Sequence, residues 1–218
     1  MNDLIQNLAP ALLFTEKALL IILGLLGAAS LATFLWRWRA YSKAQGQPNK
    51  WIRVLTQEMA SARIPSINLT PADDATLAGR VVRTGLANQG LASDALEKVF
   101  DVQESAEKRE LEKGLSFLGT VGSNAPFLGL TGTVIGILVA FERFAASGGK
   151  GSTEVMVSIS QALVATAVGL IVAIPAVVFF NILKQRSKSV LEGAREVRGL
   201  IVARSMQANV VYANGREA

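Results

Sequence analysis

The sequence predicts an all-α polytopic membrane protein with three transmembrane helices, of which the second and third extend into the cytoplasm. Three uncharged runs, at 18–36, 114–141 and 155–183, are each long enough to cross about 30 Å of hydrocarbon. Charged residues make up 18% of the 218 residues, against about 25% in an ordinary soluble domain. The second and third runs are rich in Gly, Ala, Ser and Thr, which is typical of membrane helices that pack closely together.

The charges that flank the three runs indicate how the chain is oriented. Basic residues without an acidic neighbour occur throughout 37–53, more basic residues follow the third run, and the charges of 142–154 balance. Because cytoplasmic loops carry an excess of Lys and Arg, the N-terminus is expected outside and the C-terminus in the cytoplasm. The basic residues follow the first run instead of preceding it, so we expect a retained stop-transfer helix and not a cleaved signal peptide.

Seven segments follow from the runs and the charges. In chain order they are an N-terminal interfacial segment on the outer side (1–17), the first transmembrane helix (18–36), a cytoplasmic helical domain (37–113), the second transmembrane helix (114–141), an outer loop (142–154), the third transmembrane helix (155–183) and a cytoplasmic C-terminal helix (184–218). Trp36, Trp38 and Tyr41 close the first span, as an aromatic belt at a membrane surface would.

Turn and capping residues separate the predicted helices of the cytoplasmic domain. Gly46-Gln47-Pro48 ends the first helix, and a second helix over 50–63 is stopped by Pro65. Thr70 followed by Pro71 and two acidic residues is a strong helix start. It supplies a capping hydroxyl, a proline in the first turn and negative charge near the helix N-terminus.

The pattern then predicts that the second and third spans are continuous with cytoplasmic helices. Asn88-Gln89-Gly90 ends the preceding helix, and Ser93 is expected to cap the next one. No helix breaker occurs between Ser93 and Pro126, so the second span is expected to begin in the cytoplasm and to run unbroken into the membrane. The third span continues beyond 183, because apolar residues recur at helical spacing as far as Ile201.

Small residues mark where the second and third helices are expected to pack. Gly129, Gly132 and Gly136 fall along one stripe of the second span, and Gly169 lies in a similar row of the third. Pro175 removes a backbone hydrogen bond and is expected to kink the third span. Close packing alone is a sufficient explanation for any single glycine of these rows.

Polar residues inside the spans indicate a wet path or a polar partner helix. Thr133 lies deep in the second span, and Gln161 and Thr166 lie in the third, although a lone threonine can be satisfied by its own helix backbone. No Asp, Glu, Lys or Arg lies in the central part of any span, and the chain has neither His nor Cys. Because proton transport across a membrane normally uses an ionisable group within it, a proton-conducting role requires a carboxyl group from another polypeptide.

Weaker motifs are set aside. Residues 148–153 resemble a phosphate-binding loop but lack its first glycine and follow no predicted strand. The glycosylation triplet at 68–70 falls on the cytoplasmic side, and membrane topology explains the basic residues without nucleic acid. No nucleophile–base pair or metal-ligand cluster is visible, so no catalytic residue, metal or cofactor is predicted, and the chain is not expected to be an enzyme.

Two segments carry a family resemblance. GTVGSNAPFLGLTGTVIGILVAF in the second span and ALVATAVGLIVAIPAVVFFN in the third closely resemble the corresponding spans of the ExbB/TolQ/MotA proton-channel family. Strong similarity covers about 114–183, and the layout of three spans with an outer N-terminus also resembles ExbB and TolQ.

The resemblance implies a homopentamer in the bacterial inner membrane, with a periplasmic N-terminus and a central pore lined by the second and third spans. A single-span partner of the ExbD/TolR type would sit inside and supply an aspartate, and a TonB- or TolA-type protein would receive the work. The pore-facing threonines of the family correspond to Thr133 and Thr166. Gln161 replaces the family's usual glutamate, and we expect it to face the pore entrance and to hydrogen-bond without cycling charge.

Alternatives stay open at the level of the sequence. An ExbB-like role in uptake and a TolQ-like role in maintaining the outer membrane both fit, and a gliding-motility stator is a further candidate. A passive membrane scaffold would need the glycine rows but not the threonines. A transporter with its own substrate site is disfavoured, because three spans offer no inverted repeat and no charged binding residue.

Overall fold

The computed structural model describes residues 2–60, 69–149 and 152–214, and these residues form helices and turns without a β-strand. The helices are α1 (Asn2–Ala44), α2 (Pro48–Ala60), α3 (Pro71–Asp74), α4 (Leu77–Ala87), α5 (Ser93–Glu112), α6 (Leu115–Ala146) and α7 (Ser152–Asn214). α1, α6 and α7 each contain a stretch long and apolar enough to cross a membrane. This confirms the predicted class, an all-α membrane protein with three spans.

The chain folds as two compact units. The first combines Met1–Leu35 with Gly114–Ile182 and contains the apolar runs, and we call it the membrane unit. The second combines Trp36–Lys113 with Leu183–Ala218, and we call it the polar unit.

The core of the membrane unit is made of small and branched apolar side chains. A buried cluster brings together Leu23 of α1, Val121 and Ala125 of α6, and Ala173 and Ala176 of α7. The rings of Phe34 and Phe179 stack with their centroids 4.2 Å apart, which ties α1 to α7. Close van der Waals packing stabilises these contacts, because burying an apolar side chain away from lipid gains little hydrophobic free energy.

The polar unit has a conventional core surrounded by ion pairs. Leu77, Val82, Leu96, Phe100 and Val197 are at most 2% exposed. The guanidinium group of Arg80 on α4 binds Glu107 of α5 through two bonds of 2.7 Å. The α7 residues Arg195 and Arg198 both bind Glu104 of α5, and hydrogen bonding with Glu104 raises the pKa of Arg195.

The start of α3 is closed by a network of hydrogen bonds. The side chain of Thr70 accepts a hydrogen bond from the backbone N–H of Asp73, and the Asp73 carboxylate accepts one from the backbone N–H of Thr70. Lys50 of α2 donates to the same carboxylate at 2.6 Å. Hydrogen bonds from Lys50 and Thr70 lower the pKa of the buried Asp73 to about 2. The predicted helix start at Thr70-Pro71 is confirmed as a capping box.

Several predicted boundaries are confirmed. α1 ends before Gly46, and α4 ends at Ala87 just before Asn88. α2 begins at Pro48, two residues before the predicted start, and the single helix predicted between Thr70 and Asn88 is divided into α3 and α4, because Thr76 caps a new helix. α7 continues to Asn214 as one helix, as the spacing beyond the third run predicts. The expected stop of α2 at Pro65 and the triplet that begins at Asn68 lie partly outside the described residues. α1 begins at Asn2, so residues 2–17 are helical, and their location at the membrane interface stays a prediction.

The prediction of an unbroken helix from Ser93 into the second span is wrong. α5 ends at Glu112, and Gly114 adopts a left-handed conformation with φ of 83° before α6 begins. Glycine adopts this conformation without the steric cost that a side chain would bring. Ser93 is also not the cap of α5, because the N-cap is Ala92 and no side-chain bond is made there.

Side chains from α1 satisfy the end of α5. The guanidinium group of Arg37 donates to the carbonyl oxygens of Glu110, at 2.6 Å, and Leu111. The hydroxyl group of Tyr41, one helical turn later, also donates to the carbonyl of Leu111. The last carbonyls of a helix have no partner within it, and a cation near them is favourable. These contacts stabilise the end of α5, next to the left-handed Gly114 that breaks the helix.

Candidate functional site

The site is built on a close backbone contact between α6 and α7. A Cβ atom placed on Gly129 would lie 2.8 Å from the carbonyl oxygen of Ala165 and 3.2 Å from the Cα atom of Gly169. A Cβ atom on Gly169 would lie 2.7 Å from the carbonyl oxygen of Ala125. Real side chains do not approach backbone atoms this closely, so only glycine fits at both positions.

The other predicted packing residues differ in their surroundings. A Cβ atom on Gly132 would lie 2.6 Å from the Cβ atom of Ala165, and Gly136 is buried further along the same stripe. Pro175 lies inside α7 and is exposed in the single chain. The row on α6 therefore lies against α7 at Gly129 and Gly132, whereas Pro175 lies outside this contact.

The two predicted threonines lie together just beyond the glycine contact. The Oγ1 atoms of Thr133 and Thr166 are 3.5 Å apart. Thr133 is 7% exposed and donates its hydroxyl hydrogen to the carbonyl oxygen of Leu130 at 2.7 Å. Thr166 is half-buried. The close approach at Gly129 and Gly169 thus allows two hydroxyl groups from different helices to meet inside the apolar part of the unit.

The hydrogen-bond inventory gives the two hydroxyl groups different roles. The hydrogen of Thr133 is committed to Leu130, so the Thr133 oxygen can only accept from other groups. Thr166 donates to Thr133 across 3.5 Å, which is at the long limit for a hydrogen bond. The Thr166 hydroxyl can leave this contact and donate its hydrogen to a stronger acceptor. Alternatively, it can keep the contact while its oxygen accepts a hydrogen bond from a donor on another chain. Thr166 can therefore bind a carboxyl group in either protonation state.

Gln161 does not join the threonine pair. Its side chain is exposed, and it lies five residues before Thr166 on α7. At about 100° per residue, the two side chains leave the helix about 140° apart. Its predicted location at a pore entrance, and its inability to titrate, stay predictions.

A cation lies at the end of the same pair of helices. Arg143 of α6 donates to the Oγ atom of Ser158 of α7 at 3.1 Å, and Ser158 is 5% exposed. The sequence gives Arg143 only as one charge of a balanced loop, because pairing across two antiparallel helices has no sequence signal. The contact ties the ends of α6 and α7 beside the turn that joins them.

Sequence reasoning also missed a polar face on the outside of α6. Thr120, Asn124 and Thr131 are exposed within the membrane unit, and their spacing of four and seven residues places them on one helix face. This spacing was readable from the sequence. Ser123 lies beside them and is exposed as well. Their hydroxyl and amide groups donate to carbonyl oxygens one turn earlier on α6.

Comparisons with known proteins converge on one family. A family model described as the MotA/TolQ/ExbB proton channel family matches residues 73–196. The chain is 41% identical over 91 residues to a putative biopolymer transport protein ExbB-like 2 of Helicobacter pylori, covering 40% of this chain and 61% of that protein. It is 41% identical over 103 residues to the biopolymer transport protein ExbB of Aquifex aeolicus, covering 47% of this chain and 70% of that one.

A relative from a second branch is similarly close. The chain is 40% identical over 98 residues to the Tol-Pal system protein TolQ of Pseudomonas aeruginosa, covering 45% of this chain and 42% of that protein. The matches therefore span between 42% and 70% of the length of these relatives.

Proposed function

The chain belongs to the MotA/TolQ/ExbB proton channel family, and from this we propose that it is the pore-forming subunit of a proton-driven stator in the bacterial inner membrane. Five copies surround a central pore lined by α6 and α7, with the N-terminus in the periplasm and the C-terminus in the cytoplasm. A single-span partner of the ExbD/TolR type supplies the titrating aspartate. Proton flow performs work on a TonB- or TolA-type protein, for transport across the outer membrane or for its maintenance.

The observation that carries this proposal is the hydroxyl pair of Thr133 and Thr166 within spans that have no charged residue in their central parts. Two hydroxyls without an ionisable group cannot move a proton by titration, because threonine does not ionise in the relevant pH range. They can hold a partner's carboxyl group in place. The pair is therefore an incomplete site, and a carboxyl group from another chain would complete it.

We propose a step for each residue of the pair. When the partner's carboxyl group is protonated, its O–H donates to Thr166, whose own hydrogen stays on Thr133. When the carboxyl group loses its proton, Thr166 releases Thr133 and donates to the carboxylate instead. The Thr133 hydroxyl keeps its hydrogen bond to the Leu130 carbonyl throughout. When the partner's carboxyl group is protonated again, the Thr166 hydroxyl donates to the Thr133 oxygen as before. The hydroxyl pair thus offers a hydrogen bond to the carboxyl group in both of its protonation states.

A passive scaffold is the second candidate, and the backbone contact at Gly129 and Gly169 is the observation that favours it. Such a contact fixes two helices whether or not anything passes beside them. The scaffold would be indifferent to the loss of one hydroxyl group. The TonB-linked, Tol-linked and motility-linked versions of the stator share the same threonine site, and the protein recovered with the complex distinguishes them.

Purification from native membranes tests the assembly. The tagged chain is isolated in mild detergent, its mass is measured intact, and co-purifying proteins are identified by mass spectrometry. We expect five copies together with a single-span protein that carries an aspartate in its span. A monomer without such a protein would contradict the proposal.

Proton flux into liposomes that contain this complex tests the site. Thr166→Val keeps the side-chain volume and removes the hydroxyl, and we expect at least about a tenfold loss of flux, since a hydrogen bond to a charged group contributes about 1.5–3 kcal/mol. Thr166→Ser should retain most of the flux. Thr33→Val is the matched control, because Thr33 is a hydroxyl of α1 bonded only to its own helix at Ala29. Unchanged flux in Thr166→Val would favour the scaffold.

A further inference from the structure

An arginine side chain of the polar unit lies half-buried against an aromatic ring. The guanidinium carbon of Arg186 on α7 is 3.4 Å from the centre of the Trp38 ring on α1. Arg186 is half-buried, and Trp38 is 36% exposed. A charge that leaves water needs a compensating charge or hydrogen bonds, and the face of an indole ring supplies only part of that compensation.

No acidic side chain of the described residues supplies the rest. Arg186 makes no ion pair within the described part of the chain. The sequence has no Asp or Glu at 155–191 or at 17–57. Glu192 is the next acid along α7, and its carboxylate lies 3.7 Å from the Nζ atom of Lys188. The half-buried guanidinium is therefore a positive charge that a group from outside the chain would neutralise.

The stacked guanidinium keeps its hydrogen-bond donors available. A separation of 3.4 Å is a face-to-face contact of two flat groups, in which the ring covers the face of the guanidinium and not its edge. The N–H groups of arginine lie in the guanidinium plane and point outward from that edge. Two parallel N–H groups fit two oxygens of one phosphate group. The ring thus holds Arg186 in an orientation that suits an anion with several oxygens.

The position along the chain identifies the environment of this edge. The first uncharged run, 18–36, is just long enough for about 30 Å of hydrocarbon, and α1 continues through it without a break. Trp38 lies two residues after the run, or roughly 3 Å further along the helix. Arg186 lies at the same level, because it contacts the Trp38 ring. This level is the headgroup region of a bilayer, where lipid phosphate groups lie.

The surroundings of the ring favour a lipid that carries a net negative charge. Arg39 follows Trp38 on α1, is exposed, and makes no ion pair among the described residues. Ser189 is exposed about one turn after Arg186 on α7. A zwitterionic headgroup would bring its own cation next to two guanidinium groups, which is unfavourable for like charges. An anionic headgroup brings no such cation.

We propose that Trp38 and Arg186 form a binding site for the headgroup of an anionic phospholipid, in which the edge of Arg186 binds the phosphate group and Arg39 adds positive charge. Basic pockets between membrane helices on the cytoplasmic side bind such headgroups. The inference rests on the proposed function only for the orientation of the chain, which brings this end of the spans to the cytoplasmic leaflet. Topology alone accounts for basic residues in this region, but not for one that is half-buried on an indole ring.

Lipid titration of the purified complex tests the site without any substitution. The full-length protein, with whatever co-purifies, is stripped of lipid in detergent and titrated with phosphatidylglycerol or with phosphatidylcholine of the same acyl chains. Native mass spectrometry counts the bound lipids. We expect phosphatidylglycerol to bind at least about fivefold more tightly, the size expected for one basic residue at a membrane surface. Equal affinity for the two lipids would overturn the proposal.

Three variants locate the binding. Arg186→Gln removes the phosphate-binding edge, and Trp38→Leu removes the ring without changing the charge, so both should lose most of the preference for phosphatidylglycerol. Arg53→Gln is the matched control, because Arg53 is an exposed arginine of α2 in the same unit and the change in net charge is identical. It should keep the preference. An equal loss in Arg53→Gln, or no loss in Trp38→Leu, would show unspecific attraction by surface charge and would overturn the site.

Two further measurements exclude other sources of the anion. Inorganic phosphate at millimolar concentration should not displace the lipid, and displacement would indicate a site for a soluble anion instead. The intact mass of each variant is measured as well. A smaller complex in Arg186→Gln, with unchanged lipid affinity of the remaining species, would show that Arg186 binds a carboxylate of another chain, and this would overturn the lipid site.

The outcomes separate this proposal from the function on which it rests. A complex that conducts protons but binds both lipids equally would overturn the lipid site and leave the proposed function standing. A protein without a partner or proton flux, whose preference for phosphatidylglycerol is lost in Arg186→Gln, would overturn the proposed function and leave the lipid site standing.

Discussion

The membrane unit and the polar unit use opposite means to hold helices together. In the membrane unit, α6 and α7 meet through glycine and backbone atoms, and the buried cluster contains three alanines. In the polar unit, long side chains do this work, as Arg80, Arg195 and Arg198 reach carboxylates on α5. The difference reflects the solvent. In water, burial of apolar side chains is favourable and charges at the surface are screened. In lipid, helices are held together mainly by complementary shape and by polar contacts between helices.

This comparison predicts that a single added methyl group disrupts the contact between α6 and α7. Gly129→Ala places a methyl group 2.8 Å from a backbone oxygen that cannot rotate away, and overpacking of this kind costs about 1–3 kcal/mol or more. We expect a large fall in the thermal stability of the purified protein, or loss of assembled complex. Gly24→Ala is the control, because a Cβ atom there meets nothing within 4 Å. Equal stability of the two variants would show that the α6–α7 contact is not close.

In the polar unit a smaller effect should come from the loss of a charge and its hydrogen bonds. Asp73→Ala removes half of the capping box and the partner of Lys50, and loss of a helix cap costs about 0.5–2 kcal/mol. Unfolding monitored by circular dichroism measures this loss. Asp94→Ala is a suitable control, since Asp94 is an exposed acid in the first turn of α5. Matching losses in the two variants would contradict a special role for Asp73.

The same residue gives the polar unit a pH dependence of known sign. The pKa of Asp73 is about 2 when folded and 3.8 in the absence of its partners, so the folded state binds the proton less tightly. Its stabilising contribution is therefore complete above pH 3.8 and is lost as the pH falls towards 2. Between these values, Asp73→Ala should lose less stability relative to wild type than at neutral pH. A constant difference across this range would rule out the assignment.

The smallest expected effect is an increase in stability, and it depends on the space around a glycine of the polar unit. Gly199→Ala adds a methyl group that meets nothing within 4 Å on α7, and replacing an exposed helical glycine should stabilise by about 0.5–1 kcal/mol. Gly85→Ala, in the same unit, meets the Cγ2 atom of Ile201 at 2.8 Å and should destabilise. Chemical unfolding of the two variants compares them directly.

The sequence predicted the spans well, because length, absence of charge and small-residue content are local properties. It also selected Thr133 and Thr166, and the structure brings their hydroxyls together. It missed the end of α5, although Gly114 is a local stop signal, and it could not show that Arg37 and Tyr41 reach the Leu111 carbonyl from about seventy residues away. It also did not single out Asn124, although the spacing of Asn124 from Thr120 and Thr131 is readable from the sequence. The burial of the residues then shows that this face of α6 is left uncovered.

The contact between Gly129 and Gly169 also constrains how this chain can change over generations. Glycine is the smallest residue, so every replacement at either position adds atoms in the direction of the opposite backbone. A neighbour cannot compensate by becoming smaller, since the opposing atoms belong to the main chain. The two positions have no neutral alternatives, and drift that is tolerated around them must leave both unchanged.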